Sequence, residues 1–363
     1  MYRTIMIKPA GSACNLHCSY CFYLDEVKNR RQKAAQVMED QDSDQIIEKT
    51  LQASDGASFV FQGGEPTLAG AAYFRHFFDQ VDKVNTQKKP VSYALQTNGW
   101  RMEDALLALL KQHDVLVGVS VDGPRLLHDL HRKSSTGEPT FTNVRATLKR
   151  LEEAGIPFNI LSVVTDEMAD NADMVMRRFL SWGVRWLQFI PCLDPLGHEG
   201  EGTFLHAESY LRFLEGIWPY WAERIGTKEA ISVRLFDNWL TITMGGRPEA
   251  CGSIGICSQS YVAECDGSIY PCDFYCLDRW KLGDIGNNSL KEIDEKRKEL
   301  RFVESSLTTN DACRNCPLLP YCGGGCRRYR DGKGIFVFCQ VYRTFLGRHL
   351  SELEAMAKAL SRP

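Results

Sequence analysis

Several things are scarce in this 363-residue sequence. No apolar run approaches the roughly 20 residues that a membrane-spanning helix needs, so no membrane partner is expected. Neither charge dominates: the formal net charge is −3, whereas a nucleic-acid-binding chain is usually strongly basic. There is no internal repeat and no low-complexity segment. Met1-Tyr2-Arg3 leads straight into a strand-like run, with no signal peptide. The expectation is a cytoplasmic protein. Its hydrophobic content of 44% suffices for a sizeable core, and its length suits a barrel plus an appendage.

Cysteine is the exception to this scarcity, with 14 residues. In a reducing compartment disulfides are rare, and clustered cysteines read as metal ligands. Cys14, Cys18 and Cys21 sit in one stretch, Cys14-Asn15-Leu16-His17-Cys18-Ser19-Tyr20-Cys21-Phe22-Tyr23. Only Cys192 interrupts the gap before Cys251. A four-iron cluster normally takes four thiolates. Three on one loop leave one iron open, as a catalytic zinc site keeps one position open. Three-quarters of a structural zinc site is the alternative.

Residues 1–195 alternate strand-like and helix-like stretches. Strands are expected at 4–8, 58–62, 91–96, 115–121, 158–164 and 185–190. Helices are expected at 42–53, 70–86, 103–112, 142–154 and 169–182. This alternation predicts a parallel sheet with helices outside. Six units are too few for a closed eight-fold barrel, so an α/β partial (β/α)6 barrel follows. Residues 1–230 would form it, and 231–363 a second domain. Polar motifs fall on the strand ends: Gln62-Gly63-Gly64-Glu65-Pro66, Gln96-Thr97-Asn98-Gly99, Ser120-Val121-Asp122-Gly123-Pro124 and Ile190-Pro191-Cys192-Leu193-Asp194. The aromatics Trp218, Tyr220 and Trp221 read as core. The basic run Lys28-Asn29-Arg30-Arg31-Gln32-Lys33 reads as a solvated loop. Residues 341–360 read as a terminal amphipathic packing helix.

The second cysteine field runs Cys251, Cys257, Cys272, then Cys313-x2-Cys316-x5-Cys322-x3-Cys326 and Cys339. Its eight thiols are enough for two fully liganded clusters, or for two zinc sites. Cys192 and Cys265 are expected to be buried as small apolar residues. Cys276, four residues after Cys272, is expected near a cluster without ligating it.

Cys14-x3-Cys18-x2-Cys21 with Phe22 and Tyr23 resembles the cluster loop of the radical S-adenosylmethionine (SAM) enzymes. The second field resembles their SPASM extension. Tyr270-Pro271-Cys272-Asp273-Phe274-Tyr275, Leu282-Gly283-Asp284-Ile285 and Gly323-Gly324-Gly325-Cys326-Arg327-Arg328 narrow the resemblance to the anaerobic sulfatase-maturating enzymes. Where that family usually has Val after Cys-Asp-Phe-Tyr, this chain has Cys276.

The resemblance implies SAM and three 4Fe-4S clusters. Cys14, Cys18 and Cys21 would hold the SAM-binding one. Cys251, Cys257, Cys272 and Cys326 would hold the first auxiliary cluster, and Cys313, Cys316, Cys322 and Cys339 the second. Tyr20, Gly64, Ser120, Arg132 and Leu193 would contact SAM. Asp273 would be the general base that takes a proton from the target side chain. The implied reaction oxidises a cysteine or serine of a sulfatase to Cα-formylglycine, through a 5′-deoxyadenosyl radical that takes a Cβ hydrogen. Implied partners are the sulfatase polypeptide, within a Cys/Ser-x-Pro-x-Arg segment, and an electron donor such as a flavodoxin or ferredoxin. The enzyme is expected to act as a monomer. A maturase of ribosomally made peptides and a non-catalytic electron-transfer or zinc-binding protein are the two competing readings.

Overall fold

A computed structural model describes residues 2–31, 35–307 and 310–361. Among them are ten strands: β1 (Tyr2–Ile7), β2 (Gly56–Phe61), β3 (Val91–Thr97), β4 (Leu116–Ser120), β5 (Phe158–Val164), β6 (Trp186–Pro191), β7 (Ser232–Val233), β8 (Tyr261–Ala263), β9 (Ser268–Tyr270) and β10 (Gly283–Asp284). The chain forms two compact units, each built from separate stretches. The first contains 1–120, 129–158 and 259–302, the second 121–128, 159–258 and 303–363.

In the first unit β1, β2, β3 and β4 pair in parallel in that order, with Ile5 opposite Phe59 and Leu95 opposite Val117. Parallel neighbours need crossovers, and helices Asp40–Gln52, Gly70–Val84 and Asp104–Gln112 provide them. On its other edge β1 pairs in parallel with β8, Ile5 opposite Tyr261. An antiparallel meander through β9 and β10 extends that edge. The sheet's helical layer packs by aromatic contact. Phe61 meets Phe74 and Phe77 edge-to-face at 5.0 and 4.9 Å, and all three are fully buried.

The second unit pairs β5 with β6 and β6 with β7 in parallel. Its core joins helices Ala207–Ala222, Arg234–Thr243 and Cys339–Leu360. Trp218 lies 5.1 Å from Phe236 and 5.4 Å from Phe345, as ring centroids. Trp218, Trp221 and the terminal amphipathic helix are therefore core elements, as expected, whereas Tyr220 is only partly buried and turns its hydroxyl to Asp173.

All six expected strands of residues 1–195 are present, and four of the five helices are single elements. The exception is 169–182, which is two helices, Asp166–Ala169 and Ala172–Ser181. The Thr165 side chain accepts from the Met168 N–H and so starts the first helix earlier than hydrophobic spacing indicates. The basic run also departs from expectation. Arg30 is buried and donates to Glu264 Oε1 at 2.8 Å, because Glu264 is itself buried and needs a cation. Gln32 and Lys33 lie outside the described residues.

Candidate functional site

The loop carrying Cys14, Cys18 and Cys21 follows β1 and is pinned from two sides within the first unit. Beyond the end of β2, the Gly64 and Glu65 N–H groups donate to the carbonyls of Gly11 and Ala13 at 2.9 and 2.8 Å. Opposite, the His17 and Ser19 N–H groups donate to the carbonyls of Lys133 and His131 at 2.8 and 3.2 Å. A Cβ on Gly64 would stand 2.2 Å from the Ala13 carbonyl oxygen. Glycine is therefore required there by the loop itself, apart from any ligand.

Glu65 ties the strand ends together. Its buried carboxylate accepts from Thr67 N–H and hydroxyl at 3.1 and 2.8 Å, Thr97 hydroxyl at 2.8 Å and Asn98 N–H at 2.7 Å. Asn98 then donates from Nδ2 to Asn15 Oδ1 at 2.8 Å and, more weakly, to Cys14 Sγ at 3.7 Å. Ser120, at the end of β4, accepts from Gln96 Nε2 at 3.1 Å. Arg132 is buried rather than on the surface, with its guanidinium 5.5 Å from the Tyr20 ring centroid. Leu193 follows β6 in the second unit.

The thiols fit a metal cluster by their chemistry. Cys14 is open on one side but ringed by protein. Desolvation, then the Glu65 carboxylate, push it up to about 11. Burial raises Cys21 as well, and Arg132 opposes that rise. Such thiols stay protonated at neutral pH unless a cation draws out the thiolate, which bound iron does.

In the second unit, Cys326 is pushed up to about 11 by burial, with Cys251 and Cys257 close enough to add to it. Cys322 is raised by burial, then by Cys339, Cys316 and Cys313. Cys272 lies in the first unit, just after β9. Among the described residues no three His, Cys, Asp or Glu side chains converge as a single-ion site. Arg330 braces this region by donating to the carbonyls of Gly324, Ser306 and Gly325 at 2.9, 2.7 and 2.8 Å. Replacing Cys316 by Ser should therefore lower both iron content and melting temperature, because ligation is coupled to folding. Iron per chain equal to wild type would exclude a cluster there.

Asp273, on a turn directly after Cys272, is the centre of a buried polar group in the first unit. Its Oδ2 accepts from the Tyr23 hydroxyl at 2.6 Å and from Gln62 Nε2 at 3.1 Å. Its Oδ1 is 3.0 Å from Lys8 Nζ, an ion pair without a well-aligned N–H. Tyr23 begins two residues after Cys21, so a single hydrogen bond joins Asp273 to the cluster-loop helix Phe22–Lys28. From the sequence alone, Tyr23 and Gln62 stand within motifs and carry no role. Their signal was position: one follows the cysteine triplet, the other ends a strand.

Lys8 is 1% exposed and stands 3.1 Å from Glu264 and 3.6 Å from Glu26. Burial pulls its pKa down, but Asp273, Cys276, Glu264 and Glu26 outweigh it and hold the ammonium well above its ordinary value. Lys8 also donates to Cys276 Sγ at 3.2 Å. Cys276 is fully buried against Val262 and Tyr270, and Cys192 and Cys265 are buried too.

Burial raises the Glu26 carboxyl from 4.5 to about 7, with Lys8 opposing. Its stabilising contribution is fully present below about pH 4.5 and is lost as pH rises through about 7. Glu26→Gln should remove that loss. Urea midpoints of wild type and variant across this window test it, and parallel slopes would refute it.

A model of the Radical SAM superfamily matches residues 9–178, and a SPASM iron-sulfur cluster-binding domain matches 251–317. The chain is 38% identical to the cysteine-type anaerobic sulfatase-maturating enzyme of Clostridium perfringens, over 94% of this chain and 95% of the relative. It is 29% identical to the serine-type enzyme of Klebsiella aerogenes, over 98% of this chain and 87% of the relative. The solved structure of native anSMEcpe with bound AdoMet and Cp18Cys peptide superposes with a TM-score of 0.93 at 34% identity, over 99% of this chain and 100% of that one. A loop of three cysteines pinned between strand ends, a second set of raised thiols and likeness along the whole length agree: the chain belongs to the anaerobic sulfatase-maturating enzymes, radical SAM enzymes with a SPASM domain.

Proposed function

We propose that this enzyme oxidises a cysteine residue of a sulfatase to Cα-formylglycine, using SAM and three 4Fe-4S clusters. The observation that carries the choice of cysteine over serine is the higher identity to cysteine-type than to serine-type relatives, at 38% against 29%. The target is presented within a Cys-x-Pro-x-Arg segment of the sulfatase polypeptide. A flavodoxin- or ferredoxin-like donor supplies electrons, and the enzyme works as a cytoplasmic monomer. Among the described residues no helix is long and apolar enough to cross a membrane.

In this reading residues 1–230 are the catalytic partial barrel and 231–363 the auxiliary-cluster domain. Cys14, Cys18 and Cys21 hold the SAM-binding cluster, and Tyr20, Gly64, Ser120, Arg132 and Leu193 contact SAM. Cys251, Cys257, Cys272 and Cys326 hold one auxiliary cluster. Cys313, Cys316, Cys322 and Cys339 hold the other. When bound, these groups supply a 5′-deoxyadenosyl radical for the Cβ hydrogen and an acceptor for the second electron.

The chain's own residues orient the target and manage its proton. Asp273 takes the proton from the target Sγ. Tyr23 and Gln62 hold its Oδ2 and Lys8 its Oδ1, which fixes the carboxylate in one orientation. Loss of the Cβ hydrogen, the thiol proton and one electron leaves a thioaldehyde. Water then gives the aldehyde and releases sulfide.

Anaerobically reconstituted enzyme, SAM and a reductant should be incubated with a Cys-x-Pro-x-Arg peptide and its serine counterpart. Mass spectrometry should find formylglycine in both, with faster turnover of the cysteine peptide. Faster turnover of the serine peptide would reverse the assignment of type. A thioether or an epimerised residue in place of aldehyde would support peptide maturation instead.

A further inference from the structure

The end of β6 is held by a segment more than a hundred residues downstream, within the same unit. Arg328 is 3% exposed, and its Nη2 donates to the Asp194 carbonyl at 2.6 Å while Nη1 donates to Glu199 Oε1 at 3.1 Å. The Tyr329 hydroxyl donates to the Pro191 carbonyl at 2.7 Å. These contacts bracket Leu193 on both sides. The loop beyond is closed by Asp194, whose carboxylate accepts the N–H groups of Gly200, Gly202 and Thr203 at 2.9, 3.2 and 2.8 Å. At its other end the Arg328 backbone N–H points at Cys326 Sγ, 3.5 Å away. One short segment thus touches a cysteine sulfur through its backbone and the β6 end through its side chains.

We infer that Arg328 and Tyr329 are positioning residues for SAM, through which the segment carrying Cys326 sets the conformation of the β6 end. The inference rests on the proposed roles of Leu193 as a SAM contact and Cys326 as an auxiliary-cluster ligand. Its chemistry is specific. A buried guanidinium bonded to a carbonyl and a carboxylate fixes both distance and plane, and a backbone contact to a ligand tolerates little displacement. SAM affinity is therefore expected to depend on residues that do not themselves touch SAM.

The test uses the full-length chain, anaerobically reconstituted, with SAM affinity measured by equilibrium dialysis beside iron content and melting temperature. Arg328→Met should weaken SAM binding about tenfold or more, the loss of a charge-assisted hydrogen bond. It should retain about twelve irons, as three four-iron clusters need. Arg328→Lys should recover part of the affinity. Tyr329→Phe removes one hydroxyl, should fold normally and should weaken SAM binding severalfold. It carries the test if Arg328→Met fails to fold.

Hydrogen exchange of the wild-type peptide spanning 190–194 separates the two layers. SAM should slow its exchange. If it does, and both variants bind SAM within about twofold of wild type, less than one neutral hydrogen bond is worth, this inference alone is overturned. If SAM leaves that peptide unprotected in wild type, the role of Leu193 falls and the inference falls with it.

Discussion

Protein in which Cys14, Cys18 and Cys21 are all replaced by Ala is expected to hold about eight irons per chain, as two four-iron clusters require, and to make no 5′-deoxyadenosine from SAM. The loop should keep its course, because what pins it is backbone hydrogen bonding from Gly64, Glu65, His17 and Ser19, which the substitutions leave in place. Cys313, Cys316, Cys322 and Cys339 should also be unaffected, since they lie in the other compact unit, whereas Cys272 shares the unit of the substituted loop but none of the three substituted positions. Deoxyadenosine formation by the triple variant would move the site elsewhere. Loss of all iron would show that the clusters assemble as one system.

The second large effect is expected at Asp273. Asp273→Asn should still bind and cleave SAM, while formylglycine yield falls about 10²–10⁴-fold, the usual worth of a positioned general base. The amide can keep its oxygen toward Tyr23 and Gln62, but its NH₂ would then face Lys8 Nζ, where the carboxylate Oδ1 stood at 3.0 Å. Lys8 would retain Glu264 and Glu26, so the fold should survive with reduced stability. An ordinary Asp at ~3.9 is a poor base for an ordinary thiol at ~8.5. Removal of the Cβ hydrogen makes that thiol far more acidic, so proton loss accompanies or follows radical formation. The decisive readout is the ratio of deoxyadenosine to formylglycine. Wild-type yield with all clusters intact would remove Asp273 from the mechanism.

What could be read in the sequence was what is local. The cysteine spacings, the apolar strand runs and the polar residues at their ends each occupy a few consecutive positions. Periodicity carried the longer helices, failed at Asp166–Ala169, where Thr165 starts a separate turn, and did not reveal the seven-residue helices Phe22–Lys28 and Arg125–His131, too short to repeat a pattern. What could not be read was convergence. Lys8 looks like the polar end of a strand and Arg30 like one of several exposed cations. Both are buried because carboxylates at Glu264 and Asp273 fold back onto them, which no window of neighbouring residues records. The motif around Asp273 identified the residue, but only the fold shows Tyr23 and Gln62 meeting it.

The pairing of β1 with β8 has a consequence for how the protein is made. Arg3 and Tyr261, in contact across that pair, are 258 residues apart, and Glu26 and Cys276 are 250 apart. A growing chain emits the loop of Cys14, Cys18 and Cys21 early but completes that loop's surroundings late. At about 5–20 residues per second, synthesis leaves the loop roughly 12 to 50 seconds without β8 and the buried carboxylates that face Lys8. During that interval Lys8 has at most Glu26 for company, and the edge of β1 is open. Iron delivered to the nascent chain would meet the three cysteines before their pocket exists. The surroundings of the cysteine loop are therefore complete only once synthesis has passed β8 and Cys276.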